Sequence, residues 1–140
     1  MEKPTTKQWI VVRTDLDVSI GKLCTQAAHS SMKTFFDRMT TKKTGDEYEA
    51  TFKYTEEEKE WIENMYTKIT CRAKSLNDLM KMYSKAKKAG LTVSIIEDQG
   101  FTELDGPTIT AIAIGPHSVK KANPVTKRLQ TLNTRLQGLR

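Results

Sequence analysis

The residues of this chain best suited to chemistry are Gly21-Lys22-Leu23-Cys24-Thr25-Gln26-Ala27-Ala28-His29, directly after the strand-like run Trp9-Ile10-Val11-Val12-Arg13. They place a lysine at the start of an amphipathic helix. Aligned peptide dipoles already make that end positive, so an added cation is disfavoured there by roughly 0.3–1 kcal/mol. The placement becomes favourable if the free amide N–H groups and the ammonium face a shared anion. A solvated surface lysine is the competing reading. Lys22, Gln26, His29 and Lys33 fall on one polar face of the helix, while Leu23, Cys24, Ala27, Ala28, Ser31, Phe35 and Met39 recur at apolar spacing.

Topology brings two further groups toward Lys22. Asp98 lies at the carboxyl end of a strand-like run over 91–97, and Thr110 lies near the start of another over 108–115. Ligands of open α/β sheets bind outside the carboxyl ends of strands. If these two strands are antiparallel, and the first strand runs parallel to the one before Asp98, a cation, a carboxylate and a hydroxyl share one rim. In the alternative, Asp98 only caps its loop and Thr110 only fills a strand position.

Other chemistries lack their residues. Gly21-Lys22 is no phosphate-cradling loop, because Leu16 stands where the first glycine belongs and Leu23 where Ser or Thr is needed. Neither a nucleophile-elbow serine nor a dinucleotide glycine fingerprint occurs. Two histidines and two cysteines, all isolated, give no zinc-ligand spacing. The expectation is an activity without metal or cofactor.

The elements that must position these groups alternate. Residues 7–14 read as a buried strand, and Ser19 as the N-cap of a helix from 21 to about 39. Residues 40–53 are polar and aperiodic, with Lys-Lys-Thr-Gly, and read as a loop excursion. Thr55-Glu56-Glu57-Glu58 matches a capping box opening a short helix. A strand over 67–73 and a helix from Ser75 to Ala89-Gly90 follow. Pro116 is expected to stop the last strand, and Asn123-Pro124 to start a final helix through Val125, Leu129 and Leu132. This alternation is α/β, with an antiparallel pair inside a mixed sheet.

At 140 residues, 37% hydrophobic and 29% charged, the chain reads as one domain spanning 1–140. The net charge of +6 is uneven: no acidic residue follows Asp105, whereas Lys120, Lys121, Lys127, Arg128, Arg135 and Arg140 do. Residues 117–140 thus read as a basic helix and tail, suited to a phosphate-rich partner, with a merely solubilising face as the alternative. Acidic residues concentrate between Asp46 and Glu63. The N-terminus has no apolar h-region and no apolar run spans a membrane, while Cys24 and Cys71 fit reduced thiols; together these lead to a cytoplasmic expectation.

Three stretches resemble the archaeal and eukaryotic type of peptidyl-tRNA hydrolase. They are Val12-Arg13-Thr14-Asp15-Leu16 with Gly21-Lys22, Gln26 and His29; residues 90–98 with Gly100 and Thr102; and residues 110–116 with Val125-Thr126. The resemblance implies a three-layer α-β-α domain, with a four-stranded mixed sheet carrying helices on both faces, and a homodimer. It also implies cleavage of the ester joining a peptide to tRNA, with catalytic weight on Lys22, Asp98 and Thr110. Gln26, His29 and Thr102 would bind substrate beside them, and Lys120, Lys121, Lys127 and Arg128 would hold the tRNA backbone, a salt-sensitive contact.

Where the family usually reads Ala-Gly-Arg-Thr-Gln, this chain has Gln99-Gly100-Phe101-Thr102-Glu103. A cation is lost and an anion gained, which predicts weaker attraction to acceptor-end phosphates. That departure motivates an alternative, a non-catalytic RNA-binding or interaction module on the same fold. In a third reading the acidic 46–63 region docks a regulatory partner.

Overall fold

Alternation along β1 (Thr6–Arg13) makes it the spine of the sheet: Trp9 and Val11 join the core on one face, Ile10 and Val12 that on the other. The computed structural model describes residues 2–136. β1 pairs in parallel with β4 (Lys68–Ala73) and antiparallel with β6 (Thr108–Ser118), which pairs antiparallel with β5 (Val93–Asp98). β1 and β5 therefore run in one direction, as the convergence of Lys22 with Asp98 requires. The two-residue β7 (Gln130–Thr131) adds to β4, giving the order β5-β6-β1-β4-β7, one strand more than the expected four.

Helices cover both faces. α1 (Ile20–Phe36) lies over Ile10, Val12, Ile96, Ala111 and Ala113, with Leu23 and Ala27 against them. α3 (Leu76–Lys88) and α4 (Val119–Thr126) bring Leu79, Ala86 and Ala122 to Val11, Ile112 and Ile114. In β6 the alanines thus face α1 and the isoleucines face α3 and α4. α2 (Glu56–Glu63) carries the anticipated capping box between Thr55 and Glu58, and its Trp61 ring stacks on Phe35 of α1 at 5.7 Å.

Four local expectations are corrected. First, α1 ends at Phe36 and is rotated: Gln26, Ser30, Ser31 and Thr34 are buried, whereas Cys24 and Ala28 are exposed. Gln8, fully buried in β1, requires this. Its Nε2 donates to Ser31 O at 3.1 Å and Thr34 Oγ1 at 3.0 Å, and its Oε1 accepts from Ser31 Oγ at 2.5 Å. Second, residues 40–53 hold a hairpin, β2 (Thr40–Thr44) and β3 (Glu47–Thr51), exposed throughout and turning at Gly45-Asp46 with Gly45 at φ 64°.

Third, β6 runs through Pro116. Between the pairs Trp9↔Ile114 and Lys7↔His117 it carries one residue more than β1, a bulge that absorbs the missing proline N–H. Fourth, α4 starts at the Ser118 cap, with Pro124 inside it, and ends two residues beyond the proline. Leu129 and Leu132 therefore lie outside the helix. Leu132 instead packs with Ile10 and Val12, its N–H donating to Thr70 O at 2.9 Å. Of the basic tail, Arg140 falls outside the described residues. Cys24 is exposed and Cys71 buried, both as free thiols, and burial pushes the Cys71 thiol up to about 11. Among the described residues no helix is long and apolar enough to cross a membrane.

Candidate active site

Lys22 stands in the first turn of α1, Asp98 ends β5 and Thr110 lies two residues into β6, so three elements meet at one sheet edge. Lys22 Nζ donates to Asp98 Oδ2 at 2.8 Å and to Thr102 Oγ1 at 3.0 Å. Gln26 Nε2 donates to the same Oδ2 at 3.1 Å, while Thr110 Oγ1 donates to Gln26 Oε1 at 2.5 Å. Asp98 Oδ1 accepts the Gly100 N–H at 2.9 Å. The result is one continuous line of hydrogen bonds, Thr110 to Gln26 to Asp98 to Lys22 to Thr102.

The electrostatics follow from that line. The hydrogen bond from Lys22, then that from the Gly100 amide, hold the Asp98 carboxyl below its ordinary 3.8. The side chains of Lys22 and Asp98 are only 12% and 14% exposed, so each charge depends on the other for compensation. An ammonium has three donors, and two are used here, leaving one for a ligand.

Thr110 sits behind the edge rather than on it, with 2% of its surface exposed. Its hydroxyl proton is committed to Gln26, which fixes the amide so that Oε1 faces Thr110 and Nε2 faces Asp98. In front of Lys22 and Asp98 opens a cleft of about 340 Å³, lined also by His29, Gly100, Phe101 and Thr102. The structure thus brings Lys22, Asp98, Gln26, His29 and Thr102 together at the cleft or directly against it.

The loop after β5 has a tight frame. Gly100 has φ 82°, and a Cβ there would lie 2.4 Å from Gly106 O, so only glycine fits. Glu103 reaches across to the start of α1, its Oε1 accepting from Ser19 N at 2.6 Å and its Oε2 from Ser19 Oγ at 2.7 Å. Ser19 Oγ in turn accepts the Lys22 N–H at 3.1 Å. The backbone hydrogen bond from Ser19, followed by that from its hydroxyl, lowers the Glu103 carboxyl below its usual value. The anion expected at this helix start is therefore supplied by the chain itself: Asp98 takes the ammonium and Glu103 takes the cap. The pairing of Ser19 with Glu103 was not legible in the sequence because it spans 84 residues. Nor was the contact of Arg13 with β6: it donates to Ile109 O at 3.0 Å and pairs with Asp15 at 2.7 Å, tying β1 to β6 beside Thr110.

The basic residues divide. Ser118, which caps α4, pairs with Thr6 at the far end of β6, ten residues from Thr108, or roughly 33 Å along the strand. Lys120 and Lys121 follow it, so they lie at the edge opposite the cleft, and Lys121 sits 3.6 Å from Glu57. Lys127 and Arg128 come after α4 has run back. Arg128 lines a second cleft with Arg72, Lys74 and Gln130 at the carboxyl end of β4, the same edge as Asp98. Among the described residues, no group of three or more His, Cys, Asp or Glu is placed to hold a metal ion.

The fold is thus a mixed sheet with a paired cation and carboxylate at the carboxyl ends of its parallel strands. The chain belongs to the family described as Peptidyl-tRNA hydrolase PTH2, which matches residues 6–132. It is similar to the protein named Peptidyl-tRNA hydrolase from Staphylothermus marinus, 39% identical over 126 residues that cover 90% of this chain and 94% of that protein. The protein of that name from Sulfurisphaera tokodaii is 35% identical over 127 residues, covering 91% and 98%. The one from Methanocaldococcus jannaschii is 32% identical over 126 residues, covering 90% and 99%.

Proposed function

We propose that this chain hydrolyses the ester between a peptide and the terminal ribose of tRNA, and that Lys22 is the group that stabilises the developing oxyanion. The observation carrying this reading is the Lys22–Asp98 pair at 2.8 Å on the floor of an open cleft, with one ammonium donor left over. As water adds to the ester carbonyl, its oxygen becomes negative and the free Lys22 donor meets that charge. Such preorganised donors are worth about 10²–10³ in rate. The carbon–oxygen bond to the ribose then breaks; one proton of the attacking water passes to the ribose oxygen, the other is released to solvent, and the peptide leaves as a carboxylate.

Asp98 is a poor proton acceptor, because the same contacts that orient Lys22 hold its carboxyl low. Its part is to aim the ammonium and align the attacking water. Gln26 and Thr110 act through Asp98, Thr110 as a positioning residue rather than a nucleophile. His29 and Thr102 border the substrate, and Lys127 and Arg128 extend the basic edge toward the tRNA backbone.

We also propose a cytoplasmic location and a homodimer. Translation places such an enzyme in the cytoplasm. A homodimer has one supporting surface, the slanting outward stripe Ile20, Cys24, Ala28, Met32 and Phe36 on α1, all exposed. The activity is tested with purified protein and an N-acetylated aminoacyl-tRNA under single-turnover conditions. Free tRNA should appear far above the uncatalysed rate; release at the uncatalysed rate would refute the reading.

A further inference from the structure

Phe101 is 91% exposed, the most exposed of the large hydrophobic side chains among the described residues, yet it stands on the lip of the cleft that holds Lys22 and Asp98. The fold makes no use of its ring: no aromatic or cation partner is found for it among the described residues. The backbone that presents it is nonetheless firmly held. Gly100 before it is locked against Gly106 and donates to Asp98, and Glu103 after it clasps Ser19. What sets this ring apart from other exposed apolar side chains is its place: it lines the same cleft as Lys22 and Asp98, where a bound ligand would meet it.

We infer that Phe101 is the platform on which the terminal base of the tRNA stacks while its ribose ester lies against Lys22. The inference rests on the ester-hydrolase reading above. The base is one glycosidic bond from the ribose that carries the ester, so a substrate seated at Lys22 must place that base within reach of the cleft's lip. An unpaired terminal base has both faces free, and every base offers a π face to an aromatic ring. The peptide side chain on the other side of the ester varies from one substrate to the next and offers no constant shape for a fixed ring. Stacking also differs from charge in its salt response, because it releases no counterions. Phe101 thus supplies salt-independent affinity at a point where the loop carries no cation.

The test combines binding and turnover. Binding is measured with a short single-stranded RNA ending in CCA, and with the same RNA carrying an abasic terminal ribose. The native protein should prefer the base-bearing RNA about tenfold, Phe101→Ala should lose that preference, and Phe101→Trp should keep it. In turnover of N-acetyl-glycyl-tRNA and N-acetyl-phenylalanyl-tRNA, Phe101→Ala should raise KM about tenfold on both, with kcat and the salt slope unchanged. Equal binding of the two RNAs by the native protein, or a preference that survives Phe101→Ala, overturns the inference. So does a KM effect confined to the phenylalanyl substrate, which would assign the ring to the peptide. If the native protein cleaves nothing but prefers the base-bearing RNA, and Phe101→Ala loses that preference, the hydrolase reading falls and the stacking platform stands.

Discussion

At the scale of single residues, the site is a relay in which each group sets the state of the next. Lys22 is held by Asp98, and Asp98 is held in turn by the amide of Gly100 and by Gln26. Thr110 is farthest back, and its contribution can be isolated. Thr110→Val keeps the shape but leaves Gln26 Oε1 without its donor in a buried place, a loss of about 1–3 kcal/mol. The amide is then free to turn its oxygen toward Asp98. We expect kcat to fall about tenfold in Thr110→Val and to stay near the native value in Thr110→Ser, with no covalent acyl-enzyme trapped in either. A trapped acyl-Thr110 adduct, or full activity in the valine variant, would contradict the positioning role. The anion gained at Glu103, expected from the sequence to weaken attraction to acceptor-end phosphates, is spent on Ser19 in the structure. Its charge is thereby partly answered by the helix start instead of facing the cleft.

At the scale of elements, what was legible was what local chemistry determines. Caps at Ser19, Thr55 and Ser75 marked three helix starts because Ser and Thr side chains satisfy free N–H groups within three residues. The Ile- and Val-rich strands were equally plain. The rotation of α1 was hidden because its buried face is polar, a consequence of Gln8 lying on another element. The hairpin β2–β3 was hidden because both of its faces are exposed, leaving no alternation to read, although Lys42 does sit across from Glu49. Lys22, Asp98 and Thr110 could be gathered at one edge from strand directions, but the link through Gln26 could not.

One junction of elements also carries a pH prediction. His117 of β6 accepts the Thr92 N–H through Nε2 at 2.9 Å, and Glu57 of α2 lies 3.6 Å from its Nδ1. Burial, followed by the charge of Lys121, lowers its pKa below 6.5 against the opposing pull of Glu57 and Glu58. The folded state therefore prefers neutral His117. The stability this gives is complete above pH 6.5 and is lost as pH falls from 6.5 through the lower folded value. Thermal unfolding of the native protein should show Tm declining across that window. His117→Gln retains an acceptor for Thr92 but has no titrating group, and should flatten the decline. An equal decline in both proteins would contradict the assignment.

At the scale of the whole molecule, charge and chemistry share one edge of the sheet only in part. The net charge of +6 is carried by the end of the chain, but α4 splits that end between two edges. Lys127→Gln with Arg128→Gln should raise KM and make its salt dependence shallower by about one phosphate contact per cation removed. Lys120→Gln with Lys121→Gln should leave both nearly unchanged. Equal effects from the two pairs would mean that the tRNA wraps both edges. None of the four cations belongs to the buried apolar core, in which Leu79, Ile112 and Ile114 are fully enclosed.

The most direct measurement is the single-turnover rate of N-acetylated aminoacyl-tRNA cleavage at saturating enzyme, for the native protein and for Lys22→Ala. The account predicts a fall of about 10²–10³ in that rate, the weight of one preorganised oxyanion donor, with tRNA affinity preserved. A rate equal to the native one would contradict it.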